Sequence, residues 1–151
     1  NERLKTAGLT KTALAAELGI SSRTNEEGAR QFAEISQKYG YTCDYCDIRG
    51  IKILHLTTGM CYIGKKTVVC VPEFQHFEAY KGYQVIVTCP EERYAANCIR
   101  IRDKVIMPQG FPDTEAKLKD AGFDVITTPM SEFEKQDGGL SCLSVRMRKK
   151  I

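Results

Sequence analysis

The chain reads as an α/β fold of about three repeated units, each a helix with short strands, arranged as blades around an axis. Two observations carry this. One phrase occurs three times: a helix-like stretch, a glycine, an aromatic residue, then a strand. It appears as Tyr39-Gly40-Tyr41, Lys81-Gly82-Tyr83 and Ala121-Gly122-Phe123, with the glycines 42 and then 40 residues apart. Glycine just past a helix is the usual left-handed stop. The second observation is that each phrase is followed by a loop and more strand-like sequence, the pattern of a repeated supersecondary unit. The 151 residues suffice for one domain with a real core.

The elements follow in order. Residues 1–18 form an atypical N-terminal helical segment, in which Leu14 and Leu18 share one face before Gly19. Thr24-Asn25-Glu26-Glu27 has the form of a capping box, opening a helix with Ala29, Phe32 and Ala33 on its apolar face. Pro72 can open a second helix with Phe74, Phe77 and Tyr80 inward. Asp113 or Thr114 can cap a third, burying Ala116 or Leu118 with Ala121. Strands are expected at Ile53–Leu56, Thr67–Val71, Ala96–Ile99, Val105–Met107 and Leu140–Met147.

The repeat also aligns chemistry. His55 follows Gly40 by 15 residues, and Asn97 follows Gly82 by the same 15. Cys142 follows Gly122 by 20, with a longer loop over residues 130–135. Equivalent positions in such units face one space, so His55, Asn97 and Cys142 are expected to converge on one cleft. Cys142 lies in Asp137-Gly138-Gly139-Leu140-Ser141-Cys142-Leu143-Ser144, where two glycines let another molecule approach the sulfur. A thiol needs a nearby base to act as a nucleophile at neutral pH. The two histidines are His55 and His76. His55, flanked by leucines, is the better partner, acting as acid to a leaving group and then as base toward water. The bland alternative is a hydrogen-bonded core histidine and a buried thiol. Arg23, at a loop before the first helix, suits bidentate capture of a carboxylate, although an ordinary surface arginine has the same appearance.

Composition narrows the class. Charged residues are 27% of the chain and the net charge is +3, short of a nucleic-acid footprint. No apolar run has membrane-span length and no signal segment is visible, so a cytoplasmic chain is expected. Seven cysteines without a scaffold spacing fit reduced thiols. Cys43-Asp44-Tyr45-Cys46 has zinc-like spacing but lacks a second ligand pair, and is read as structural.

Several motifs together resemble one family. Ser22-Arg23-Thr24-Asn25-Glu26-Glu27-Gly28, Leu54-His55-Leu56-Thr57-Thr58-Gly59, Ala95-Ala96-Asn97-Cys98-Ile99, Ser131-Glu132-Phe133-Glu134-Lys135 and Asp137–Cys142 fall in the order seen in dimethylarginine dimethylaminohydrolases. The resemblance runs from about residue 19 to the end and is with the C-terminal part of that family, which makes 19–151 an incomplete domain of this type. It implies a partial α/β-propeller, about three ββαβ-type repeats of the five-bladed, pentein-like fold of guanidino-group-modifying enzymes. It also implies Cys142 as nucleophile on a guanidinium carbon and His55 as general acid/base. Arg23 would hold the substrate's α-carboxylate, with Asp137 and Asn97 also binding substrate. The implied reaction turns N-methylated arginine into citrulline and a methylamine through a covalent thiouronium, with no metal or organic cofactor. The cationic substrate would itself favour the thiolate.

The chain also departs from the family. The family's N-terminal portion supplies acids for the guanidinium and a second carboxylate-binding arginine. Where it carries an acidic-Gly-Gly-Asp motif, this chain has Lys5-Thr6-Ala7-Gly8. A guanidinium bound without those acids is an unpaired cation. The alternatives are therefore an inactive remnant that binds arginine-like ligands, or one completed by a second copy or a complementary chain. An arginine deiminase is a further rival, though normally longer. A helix-turn-helix over residues 9–21 is the weakest reading, because Glu26 and Glu27 would repel phosphate.

Overall fold

A computed structural model describes residues 19–41, 43 and 45–145. The segment 1–18, including Lys5 and the helix-turn-helix reading, lies outside these residues. The mixed α/β architecture consists of three successive units. The first has β1 (Gly19–Ile20), α1 (Glu26–Lys38) and β2 (Cys46–Asp47), with β1 and β2 parallel. The second has β3 (Met60–Gly64) and β4 (Thr67–Cys70) as an antiparallel hairpin, two 3₁₀ turns, then β5 (Gln84–Val87) parallel to β4. The third repeats this with the hairpin β6 (Ile99–Ile101) and β7 (Lys104–Pro108), α3 (Pro112–Asp120), then β8 (Asp124–Thr128) parallel to β7. Two one-turn helices, α2 (Leu56–Gly59) and α4 (Ser131–Glu134), lie in the connections.

The repeated glycines stop the helical segments as expected. Gly40, Gly82 and Gly122 have φ of 80°, 81° and 78°, a left-handed region costly for any residue with a Cβ. After α1 and α3 the aromatic N–H reaches back to Ser36 and Leu118 respectively, each at 3.1 Å. This is the six-residue closure of a Schellman stop.

The core has two parts, one on each side of β4. Val68 and Cys70 face one cluster with Ile48, Leu56, Phe74 and Tyr80. Val69 faces the other with Ile63, Val105, Met107 and Leu118. Burial on both faces explains the unbroken apolar run there, since an alternating pattern would expose half of it. Among the described residues no helix is long and apolar enough to cross a membrane.

Four local expectations are corrected. Asn25, not Thr24, caps α1, its Oδ1 accepting from the Gly28 N–H at 2.9 Å. With glycine at that third position, no carboxylate returns the bond. The segment opened by Pro72 is two 3₁₀ turns, Pro72–Phe74 and Glu78–Tyr80. Phe74, Phe77 and Tyr80 are spaced by three, the 3₁₀ period. Phe32 on α1 is 41% exposed, and in α3 Leu118 is buried while Ala116 is exposed. Neither Asp113 nor Thr114 caps α3. Phe111 holds the cap position, and the capping oxygens come from the distant Glu92.

Candidate active site

The loop after each parallel strand carries one of the aligned residues. His55 follows β2, Asn97 follows β5 and Cys142 follows β8. A cavity of about 420 Å³ is walled by all three loops, through Leu54 and Thr58, Tyr94 and Asn97, and Asp137 and Gly139. Of the three residues expected to share one cleft, Asn97 lies on this wall, while His55 and Cys142 are not among the lining residues and are represented by their neighbours Leu54 and Gly139. Asp137 is also on the wall.

His55 is the N-cap of α2 rather than part of a strand. The Thr58 hydroxyl donates to the His55 carbonyl at 2.6 Å, and the His55 N–H lies 3.3 Å from the same oxygen. These bonds fix the backbone of His55, which is half-buried.

Cys142 is exposed and sits in a turn, not on the expected strand at Leu140–Met147. Leu143 and Val145, whose alternation suggested a strand, are 54% and 85% exposed. The preceding backbone is instead engaged by side chains. The Asn97 Oδ1 accepts from the Ser141 N–H at 2.9 Å, and its Nδ2 donates to Ser141 Oγ at 3.0 Å. The Tyr94 hydroxyl donates to the Gly138 carbonyl at 2.5 Å. Burial is the chief cause that raises the Tyr94 phenol above its ordinary range, and the neighbouring Glu134 carboxylate adds to it.

Arg23 occupies the exposed turn closed by the Ser21–Thr24 bridge, its N–H donating to Ser21 Oγ at 3.1 Å. It is not among the residues that wall the cavity. Asp137 is there, at φ 57°, an unusual conformation for a residue with a Cβ. Sequence reading missed Lys52, Glu91, Arg93, Tyr94 and Glu134, which also line the cavity. The Arg93 Nη1 contacts both Glu73 oxygens, at 2.6 and 2.7 Å. The Pro90–Ala96 segment is a 3₁₀ helix, which brings Arg93 and Tyr94 to the wall. Its sequence, Pro-Glu-Glu-Arg-Tyr-Ala-Ala, carries no metal or nucleophile signature, so the signal was weak. Among the described residues no group of three or more metal-ligating side chains assembles.

The fold is shared with an amidinotransferase from Microseira wollei, which superposes with a TM-score of 0.68 at 17% identity, over 87% of this chain and 45% of that one. A cysteine-to-serine mutant of the Pseudomonas aeruginosa dimethylarginine dimethylaminohydrolase, complexed with citrulline, superposes with a TM-score of 0.77 at 40% identity, over 85% and 50%. By sequence the chain is homologous to the dimethylarginine dimethylaminohydrolases. It is 41% identical over 129 residues to the Pseudomonas aeruginosa enzyme, covering 85% of this chain and 50% of that protein. The chain therefore spans about half the length of the curated relatives it matches. No protein-family model matches it.

Proposed function

We propose that the chain carries the Cys/His half of a hydrolase that converts N-methylated arginine to citrulline and a methylamine. The observation that carries this is the convergence of the His55, Asn97 and Cys142 loops on one cavity in a chain homologous to such enzymes. In the proposed reaction the Cys142 thiolate attacks the guanidinium carbon. His55 protonates the departing methylamine, leaving an S-linked thiouronium. His55 then takes a proton from water as it adds to that carbon, and collapse gives citrulline and the thiol. No cofactor enters the scheme. Arg23 binds the substrate carboxylate, and Asp137 holds the amino end. Glu91, Glu134 and Asp137 give the cavity wall an acidic component suited to a cation.

The proposal includes residues 19–151 as an incomplete domain, a partial five-bladed pentein ring, and a cytoplasmic location. Association with a second copy or a complementary chain also belongs to it. Its support is the half-length match to the relatives and the exposed apolar side chains of α1.

The test is citrulline release from N-methylated arginine by the full chain. Release that falls at least a hundredfold in Cys142→Ala and in His55→Ala is the expected result. A second reading, a non-catalytic remnant that binds arginine-like ligands, is favoured by Lys5 at the family's acidic position. Binding of arginine by calorimetry with no citrulline at any enzyme concentration would establish it.

A further inference from the structure

We infer that Asn97 is a positioning residue that sets the backbone of the loop carrying Cys142, rather than a substrate-binding residue. The inference rests on the reading of Cys142 as nucleophile, and its geometry is independent of turnover.

Asn97 is 2% exposed, and both ends of its amide are engaged by one residue, Ser141, directly before Cys142. The carboxamide acts as a two-point clamp, because Oδ1 takes the main-chain N–H while Nδ2 takes the side-chain oxygen. Three residues earlier on the same 3₁₀ segment, Tyr94 holds the Gly138 carbonyl. Tyr94 in this segment and Asn97 at its C-cap thus grip the loop on both sides of Gly139.

Gly139 shows how close the approach is. A Cβ built there would lie 2.4 Å from Asn97 Nδ2 and 2.7 Å from its Cγ, well inside contact distance. The glycine lets the carboxamide lie directly against the backbone of the loop. A residue selected for reaching substrate would keep its polar atoms for the ligand, whereas Asn97 commits Oδ1 and one Nδ2 hydrogen to Ser141.

The clamp gives Cys142 a defined position without a strand. The loop has no sheet ladder; local backbone bonds take the Gly138 and Leu143 N–H groups, at 2.9 and 3.1 Å, and side chains take the Ser141 N–H and the Gly138 carbonyl. A buried hydrogen bond is worth about tenfold in an opening equilibrium.

The experiment follows amide exchange at Ser141 in the full chain, with steady-state kinetics on N-methylated arginine beside it. In Asn97→Ala the Ser141 amide is expected to exchange at least tenfold faster. In Asn97→Asp it should stay within threefold of the parent, because the Ser141 hydroxyl can turn to donate to the second carboxylate oxygen. Where the parent turns over, Asn97→Ala should lower kcat at least tenfold with KM within twofold, and Asn97→Asp should recover most of kcat. Unchanged exchange at Ser141, or a raised KM at unchanged kcat, overturns the inference. If the parent releases no citrulline, exchange alone decides, and the clamp is judged separately from the proposed activity. Should Asn97→Ala fail to fold, Ser141→Ala with Tyr94→Phe decides. Faster exchange over residues 138–142 in that double variant supports the clamp, and unchanged exchange removes it.

Discussion

Cys70 shows how a single buried group ties stability to pH. It is 0% exposed, and burial pushes its thiol from the ordinary 9.0 up to about 12. Burial likewise raises the nearby Cys46 and Tyr80. The neutral thiol is what the fold tolerates. In the unfolded chain it gives up its proton near pH 9, while the folded chain holds it to about pH 12. Its contribution to stability is thus complete below pH 9 and is lost as pH rises toward 12. The urea midpoint is expected to fall over that window. Cys70→Val, of similar size and without a proton to lose, should flatten part of the fall, leaving the share of the other raised thiols and phenols, Cys46, Cys89, Cys98, Tyr80 and Tyr94. At this scale the sequence was informative about identity and poor about engagement. The spacing pointed to His55, Asn97 and Cys142, of which Asn97 lies on the cavity wall. That Asn97 spends its amide on Ser141 was not, since a hydrogen-bond partner 44 residues away leaves no local pattern.

Among the elements, the 3₁₀ segment Pro90–Ala96 links the most parts. From its start, the buried Glu92 carboxylate reaches α3, accepting from the Asp113 N–H at 3.0 Å, and from the Thr114 N–H and hydroxyl at 2.7 and 2.6 Å. A carboxylate at a helix N-terminus satisfies orphan donors and meets the positive end of the helix dipole. From its end, Tyr94 and Asn97 hold the loop before Cys142. Glu92→Ala leaves the two buried donors of Thr114 and the part-buried Asp113 N–H without their partner, and its expected cost is about 3 kcal/mol. Glu92→Gln, with one acceptor oxygen left, should cost about half as much, measured by urea unfolding. Helices α1 and α3 were readable from their glycine stops and from Ala29 and Leu118, but not from their caps. The segment at Pro72 was misread because a spacing of three fits both an α-helix face and a 3₁₀ repeat. The last strand failed because alternation at Leu143 and Val145 had no partner strand to pair with among the described residues.

The whole molecule has two cores sharing β4 and one helix with a bare face. Phe32, Ile35 and Tyr39 on and beside α1 are 41%, 55% and 74% exposed, and Tyr45 nearby in sequence is 52% exposed. A contiguous apolar surface of this kind favours association in water. Sedimentation velocity is expected to show concentration-dependent self-association, with Ile35→Glu shifting the distribution toward monomer. A distribution unchanged by Ile35→Glu would place the contact elsewhere. The repeat period revealed the global plan because each unit stops on the same left-handed glycine. The bare face was not visible in the sequence, where Phe32 reads as a core residue.

The places of His55, Asn97 and Cys142 in the chain bear on how such a chain can grow or shrink. Each belongs to a joint, the stretch that leaves one parallel strand and enters the next hairpin, or, for Cys142, follows the last strand. Adding a unit therefore brings its own share of apolar interior and also one more joint facing the common space. Stability and chemistry are inherited in the same module but on different residues. A joint is free to change its side chains while the interior stays fixed, and removal of one unit takes away a single chemical voice and leaves the others in place.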